Sequence, residues 1–95
     1  MPAYVIADIQ VTDPTSYDRY RPLAASSIAR FGGRFVVRGG KVDLLEGVPE
    51  PQRIVVIEFP DAETARRWYR SDEYQKARII RQSASRGSVF LVEGA

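Results

Sequence analysis

The order of the local sequence patterns is the strongest constraint on the fold of this chain. Strands are predicted where β-branched and aromatic residues alternate or form a short apolar run. They cover Tyr4–Val11, Arg34–Arg38, Arg53–Phe59 and Ser88–Glu93. The two intervals that separate the first strand from the second and the third from the fourth have helical spacing, which predicts strand, helix, strand, strand, helix, strand.

The helix boundaries are marked by capping residues. Asp13, followed directly by a proline, predicts the start of the first helix, because its carboxylate can accept from free backbone NH groups. Pro22 removes one hydrogen bond within that helix, so we expect a kink or a break near residues 18–22. Asp61 and Ser71 each resemble a helix cap, which predicts a second helical region in two parts.

The connection between the second and third strands has little regular pattern. Val42–Leu45 is predicted as a short extended piece, and the residues that follow it are too rich in proline and glycine for a helix or strand. We expect residues 46–51 to form an exposed loop.

This order of elements is that of the split βαβ plan, in which both crossovers place their helices on one face of a four-stranded antiparallel sheet. The predicted class is therefore α+β, with ferredoxin-like βαββαβ topology. Residues 1–95 are predicted to form a single domain, because the length is close to that of one ordinary domain.

Composition excludes several classes of function. The net charge is only +2 and the charges of both signs are interleaved, so no nucleic-acid partner is predicted. No apolar run is long enough to cross a membrane, and the first residues lack the pattern of a signal peptide, so we expect a cytoplasmic protein. Cysteine and histidine are both absent, which excludes thiolate nucleophiles, imidazole bases and the usual zinc sites. No metal and no cofactor is predicted.

The sheet face without helices is predicted to pair with a second copy of the chain. Apolar residues expected on that face are Val36, Val56, Val89 and Leu91, and charged residues expected there are Asp8, Arg38, Glu58 and Glu93. A surface of this kind is too apolar to remain in water, and two such faces can cover one another. We therefore expect a two-fold homodimer that buries roughly 1,200 Å² or more in total.

Short motifs throughout the chain resemble the family of small proteins called domain of unknown function 1330, which belongs to the dimeric α/β barrel superfamily. The motifs that carry the resemblance are Ala3-Tyr4-Val5-Ile6, Asp13-Pro14, Tyr17 with Tyr20, Gly32-Gly33-Arg34-Phe35, Arg38-Gly39-Gly40, Leu45-Glu46-Gly47, residues 53–59, residues 68–75 and Val92-Glu93-Gly94. The resemblance implies a ferredoxin-like fold and a dimeric α/β barrel. It implies no particular reaction.

One candidate site lies on the face predicted to be open. Asp8, Arg38 and Glu58, joined by Glu93, would bring carboxylates close to a guanidinium group in a partly dry space, where they can perturb one another's pKa values. Asp8, Arg38 and Glu58 are thus candidate catalytic residues. The alternative is that Arg38 neutralises the carboxylates and sets the register of the dimer.

A second candidate site combines aromatic and arginine side chains of the helices. Its predicted ligand-binding residues are Tyr17, Tyr20, Arg38, Trp68, Tyr74, Arg78 and Arg81. Such a set can hold a planar or carboxylate-bearing molecule between the helices and the edge of the sheet. The alternative is that the aromatic residues are ordinary core and the arginines extend from it into water.

Three functions remain open from the sequence. The first is binding of a small organic acid or aromatic ligand without chemical change, which the absence of histidine and cysteine favours. The second is a cofactor-independent enzyme of monooxygenase, isomerase or decarboxylase type, with Asp8 or Glu58 as base and Arg38 stabilising an anion. The third is a structural or regulatory interaction module.

Overall fold

A four-stranded antiparallel sheet carries three helices on one of its faces in the computed structural model, which describes all residues from 1 to 95. The elements are β1 (Ala3–Val11), α1 (Pro14–Arg30), β2 (Arg34–Arg38), β3 (Ile54–Phe59), α2 (Ala62–Arg70), α3 (Asp72–Ala84) and β4 (Ser85–Glu93). The strand order is β2-β3-β1-β4, so the predicted ferredoxin-like α+β class is confirmed. None of the helices has both the length and the apolar character that crossing a bilayer requires.

The predicted caps begin the helices. Asp13 accepts from the Ser16 backbone NH, and Asp61 accepts from that of Thr64 at 2.7 Å. Hydrogen bonds from the side chains of Ser16 and Thr64, together with those from their backbone NH groups, favour the charged carboxylates and hold the pKa of both Asp13 and Asp61 below the ordinary value. Ser71 ends α2 and caps α3, so the second helical region is in two parts as predicted.

Two local predictions concern Pro22 and the connection between β2 and β3. Helix α1 is continuous from Pro14 to Arg30 with Pro22 inside it, so of the kink or break predicted near residues 18–22 the break is absent. Pro22 has no NH to donate to the carbonyl one helical turn earlier. Because Pro22 is exposed, that carbonyl lies close to water. Val42–Leu45, predicted as a short extended piece, lies in the connection between β2 and β3 and is not part of the sheet.

The core between the helices and the sheet is built around Trp68. Its ring centroid lies 4.1 Å from that of Tyr74 and 5.2 Å from that of Phe59. All three side chains are fully buried. The indole Nε1–H donates to Ser27 Oγ at 2.9 Å, and Ser27 Oγ donates to the Ala24 carbonyl at 2.8 Å. The polar atom of the indole is therefore satisfied inside the core.

The pairing register decides which strand residues face the helices. In β1, Val5 and Ala7 face them, and their partners in β4 are Leu91 and Val89. The prediction that Val89 and Leu91 lie on the opposite face is therefore wrong. Glu93 pairs with the buried Ala3 and shares its side of the sheet, so it too lies away from the predicted face.

A β-bulge in β2 reverses the face of the residues that follow it. Phe35 pairs with Ile57, but Val37, and not Val36, pairs with Val56. One extra residue shifts the alternation, because side chains of a strand alternate with a period of two. Arg38 consequently pairs with Val55 and lies on the side of the helices, which corrects its predicted position beside Glu58.

The buried Trp68–Ser27 hydrogen bond provides a test of this core. We expect Ser27→Ala to lower the free energy of unfolding by about 1–3 kcal/mol, because the indole Nε1–H would then be buried without an acceptor. Urea unfolding followed by the fluorescence of Trp68 measures the change. The control is Ser26→Ala, which removes an exposed hydroxyl and is expected to change stability by less than about 0.5 kcal/mol. Equal effects of the two substitutions would contradict the proposed role of the Ser27 hydroxyl.

Candidate functional site

A small cavity of about 40 Å³ lies between the helices and the sheet. Its apolar walls come mainly from β1, β3 and α1, and one group of its lining residues is aromatic: Tyr17, Tyr20, Phe35, Trp68 and Tyr74. A second group consists of four arginines: Arg21, Arg38, Arg53 and Arg81. The cavity exceeds the roughly 10–15 Å³ that one ordered water requires, so it has room for a few atoms of a ligand.

The helical side of the cavity holds Arg81 beside two tyrosines. Arg81 is only 7% exposed, and its Nε–H has no hydrogen-bond partner within the protein. Tyr20 Oη and Tyr74 Oη lie 2.9 Å apart and share one hydrogen bond. Since each phenol has a single proton, one of the two hydroxyls accepts and keeps its own proton for another acceptor.

The protonation states of this group are set by burial and by mutual proximity. Burial disfavours the phenolate and, together with Tyr74, raises the pKa of Tyr20. Burial by itself lowers the pKa of Arg81, but the neighbouring tyrosine oxygens outweigh it and the net direction is upward. Arg81 is therefore a permanent cation and Tyr20 a neutral phenol over the physiological pH range.

The sheet side of the cavity holds a second arginine, Arg53, which is half-buried. Arg53 directly precedes β3, and its Nε–H is also buried without a partner. Its guanidinium group packs against Gly39, where a Cβ atom would overlap with it. Gly39 has φ +71°, which other residues rarely adopt, so the turn after β2 favours glycine and leaves room for Arg53.

The remaining two arginines lie at the exposed border of the cavity. The Arg38 guanidinium is 4.2 Å from the centre of the Phe35 ring. Arg21 is 5.3 Å from the centre of the Tyr17 ring and pairs with Asp18 at 3.4 Å. The salt bridges of the chain involve Arg21, Arg30 and Arg34. No carboxylate lies within 4.0 Å of Arg38, Arg53 or Arg81. The cavity consequently has an excess of positive charge.

Most of the predicted aromatic and arginine set surrounds this one cavity. Tyr17, Tyr20, Arg38, Trp68, Tyr74 and Arg81 all line it. Arg78 does not: its Nε donates to Gln75 Oε1 at 2.9 Å, and its guanidinium lies 6.0 Å from the Tyr69 ring centre. Trp68 forms a wall only, since its single donor is used by Ser27.

The predicted group of Asp8, Arg38 and Glu58 is not assembled within this chain. Asp8 and Glu58 lie on the face away from the helices, whereas Arg38 lies on the other side. Glu58 is paired instead with Arg34 Nε at 2.7 Å and accepts from Tyr4 Oη at 3.2 Å. Asp8 accepts from the Gln52 backbone NH at 3.0 Å. These carboxylates therefore have structural partners.

Arg53 is the principal residue that the sequence interpretation missed. The continuous apolar run of β3 shows no alternation, so its sequence does not indicate which face Arg53 shares. Arg53, Val55 and Ile57 are alternate residues and therefore share one face of the sheet. Val55 and Ile57 are buried against the helices, which places Arg53 on the helical side. Arg21 and Phe35 were likewise not predicted as lining residues.

Several solved structures have a fold similar to that of this chain. A protein of unknown function from Rhodopseudomonas palustris is 17% identical, with a TM-score of 0.81 over 99% of this chain and 82% of that chain. SnoaB from Streptomyces nogalater, described as a cofactor-independent oxygenase, is 16% identical, with a TM-score of 0.70 over 99% of this chain and 93% of that one. At these identities the likeness shows a shared fold.

A third similar structure is described as a dimeric ferredoxin-like protein of unknown function, from Jannaschia sp. CCS1. It is 10% identical, with a TM-score of 0.68 over 100% of this chain and 99% of that chain. No curated protein matches the sequence significantly. The family model named Domain of unknown function (DUF1330) matches residues 2–95, and the chain therefore belongs to the DUF1330 family.

Proposed function

We propose that this protein binds a small organic acid in the cavity between its helices and its sheet. The observation that carries the proposal is the buried guanidinium of Arg81, whose Nε–H has no partner within the protein. A buried donor of this kind is costly unless something accepts its hydrogen bond. A carboxylate oxygen is a strong acceptor for it, because both partners are charged.

The neighbouring tyrosines favour the same ligand. One hydroxyl proton of the Tyr20–Tyr74 pair has no acceptor in the protein, and Arg81 lines the same cavity as both tyrosines. Two kinds of donor therefore converge without an acidic side chain among them. This arrangement is complementary to an anion that is bound by its oxygen atoms.

The remaining walls select for apolar and aromatic ligand atoms. Phe35, Tyr17 and Trp68 present ring surfaces to the cavity, and the β1 side chains add aliphatic surface. An apolar lining with a few convergent polar groups is the usual composition of a small-molecule site. The volume of about 40 Å³ restricts the enclosed part of the ligand to a small group.

Binding of benzoate tests the proposal. We expect benzoate to shift the ¹⁵N–¹H signal of Arg81 Nε, and Arg81→Met to weaken its affinity by about tenfold or more, since a charge-assisted hydrogen bond is lost. Affinity is expected to stay constant from pH 9 down to about pH 5 and to fall only as the ligand's carboxyl group, with a pKa of about 4, becomes protonated.

The matched control for Arg81→Met is Arg86→Met, which makes the same change of charge at an exposed arginine of β4 outside the cavity. Arg86→Met is expected to leave the affinity for benzoate within about twofold. Equal loss in both variants would indicate a general effect of net charge. Absence of binding by benzoate and by aliphatic acids would favour the structural or interaction-module alternative.

Stability measurements give an independent test of the same site. Without a ligand, Arg81→Met is expected to raise the free energy of unfolding by about 1 kcal/mol, because it replaces a buried, unpartnered donor by apolar atoms of similar length. Chemical unfolding of both proteins without added acid measures this difference. A lower stability of the variant would mean that Arg81 is primarily a structural residue.

An enzymatic use of the cavity is the second candidate function. The observation that favours it is the Tyr20–Tyr74 hydroxyl pair, which can hold or donate a proton beside a bound acid. Since the pKa of Tyr20 is raised, Tyr20 stays a neutral phenol, which can donate a hydrogen bond to the acid but cannot act as a base. Asp8 and Glu58 could not act as bases on a ligand in the same cavity, because they lie across the sheet from it. Mass analysis of bound acids after incubation in air distinguishes turnover from binding.

We infer that the chain forms a homodimer through its open face, the sheet face away from the helices. Apolar residues of this face are Ile6, Val37, Ile54, Val56, Phe90 and Val92. Phe90 is 51% exposed and Val92 43% exposed in the single chain. A second copy would cover this apolar surface, and a similar ferredoxin-like structure is described as dimeric.

Substitution on the open face tests the dimer. The wild type is expected to have a light-scattering mass of about twice 10.7 kDa at micromolar concentration, and Phe90→Asp a mass near that of one chain. Ile79→Asp is the control, because Ile79 is 66% exposed but lies on α3, away from the open face. A wild-type mass of one chain would contradict the inference.

A further inference from the structure

The cavity has a second cationic centre that a carboxylate at Arg81 leaves unused. Arg53 lies on the sheet side of the cavity, whereas Arg81 lies on α3 in the helical layer. Both have a buried Nε–H without a hydrogen-bond partner in the protein. Arg38, which follows the bulge of β2, lies beside Arg53 because Gly39 N donates to the Ile54 carbonyl at 2.8 Å.

The charge balance of the cavity exceeds what a single carboxylate can neutralise. Among its four arginines, only Arg21 has a carboxylate within 4.0 Å, and that pair is on the exposed surface. Arg38, Arg53 and Arg81 together contribute three positive charges without an acidic partner. One bound carboxylate would neutralise one of these charges and leave the half-buried Arg53 and the exposed Arg38 without an anionic partner.

We propose that the ligand of this cavity is a dianion: a small dicarboxylate, or a carboxylic acid with a second ionised group. One acidic group is bound by Arg81 and the Tyr20–Tyr74 hydroxyl pair, and the other by Arg53 with Arg38. The apolar or aromatic part between them contacts Phe35 and the β1 side chains. The inference rests on the acid-binding function proposed above and adds the number and placement of the charges.

The local backbone is built around the sheet-side centre. The Arg53 guanidinium fills the space over Gly39 that a side chain would occupy, and the positive φ of Gly39 supports the turn there. The bulge at Val36 is what directs Arg38 to the same side of the sheet. Without the bulge, strand alternation would place Arg38 on the open face, away from Arg53. Two separate backbone features thus bring two guanidinium groups to one end of the cavity.

Two matched pairs of acids test the inference: benzoate with isophthalate, and butanoate with succinate. In whichever pair binds more tightly, the dianion is expected to bind at least about tenfold more tightly than the monoanion, because it gains a second charge-assisted interaction. In the wild-type protein, the dianion is expected to shift the Nε–H signals of both Arg53 and Arg81, whereas the monoanion shifts that of Arg81 alone.

Variants locate the second charge. Arg53→Met is expected to reduce the preference for the dianion to less than about threefold while it leaves the affinity for the monoanion nearly unchanged. Arg81→Met weakens both ligands, and Arg86→Met weakens neither. The Nε–H signals of the wild type provide the same information if Arg53→Met does not fold.

The possible failures are distinct. Binding of benzoate or butanoate without a preference for the dianion, or a preference that survives Arg53→Met, overturns this inference and leaves the acid-binding function standing. Failure of all four acids to bind overturns both proposals.

Discussion

The register in which β1 pairs with β3 and β4 is the constraint on which the rest of the structure depends. Val5 lies opposite Ile57 on one side and Leu91 on the other, and this row of side chains forms the floor beneath the helices. A shift of this register by one residue would turn Ile6 and its neighbours toward the helices in place of Val5. Trp68 belongs to the same buried cluster as Val5 and Ile57, with Leu91 packed against it, and the burial of these side chains stabilises the observed register.

The same packing buries the charged side chain of Arg81 without a hydrogen-bond partner for its Nε–H, which is unfavourable for stability. Arg81 follows the buried Ala77 by one helical turn, so the amphipathic pattern of α3 carries it into the helical layer, where it meets two tyrosines and no carboxylate. Trp68 and Ser27, by contrast, satisfy one another's polar groups inside the core. A site that binds an anion is commonly less stable when empty, because its donors are arranged for the ligand and not for one another.

Both proposed surfaces belong to one sheet and are separated by its thickness. Alternate residues of β1 point to the cavity and to the open face, so Ala7 lines the first and Ile6 belongs to the second. Glu58 and Asp8 are on the open face and are held by Arg34 and by the Gln52 backbone NH. Both carboxylates therefore lie on the face proposed for the dimer, across the sheet from the arginines that line the cavity.

The sequence by itself determined the order and type of the elements, the capping of the helices by Asp13, Asp61 and Ser71, and the aromatic set around Trp68. These follow from local chemistry, since periodicity and capping depend on neighbouring residues. Tertiary structure decided which face of each strand is buried and which arginines line one cavity. The bulge at Val36 turned Arg38 toward Arg53, and strand pairing reversed the predicted face of β4. Alternation in the sequence shows that a strand has two faces, but only packing against the helices identifies the inner face. A shift of the pairing register by one residue moves every side chain of the strand to the opposite face.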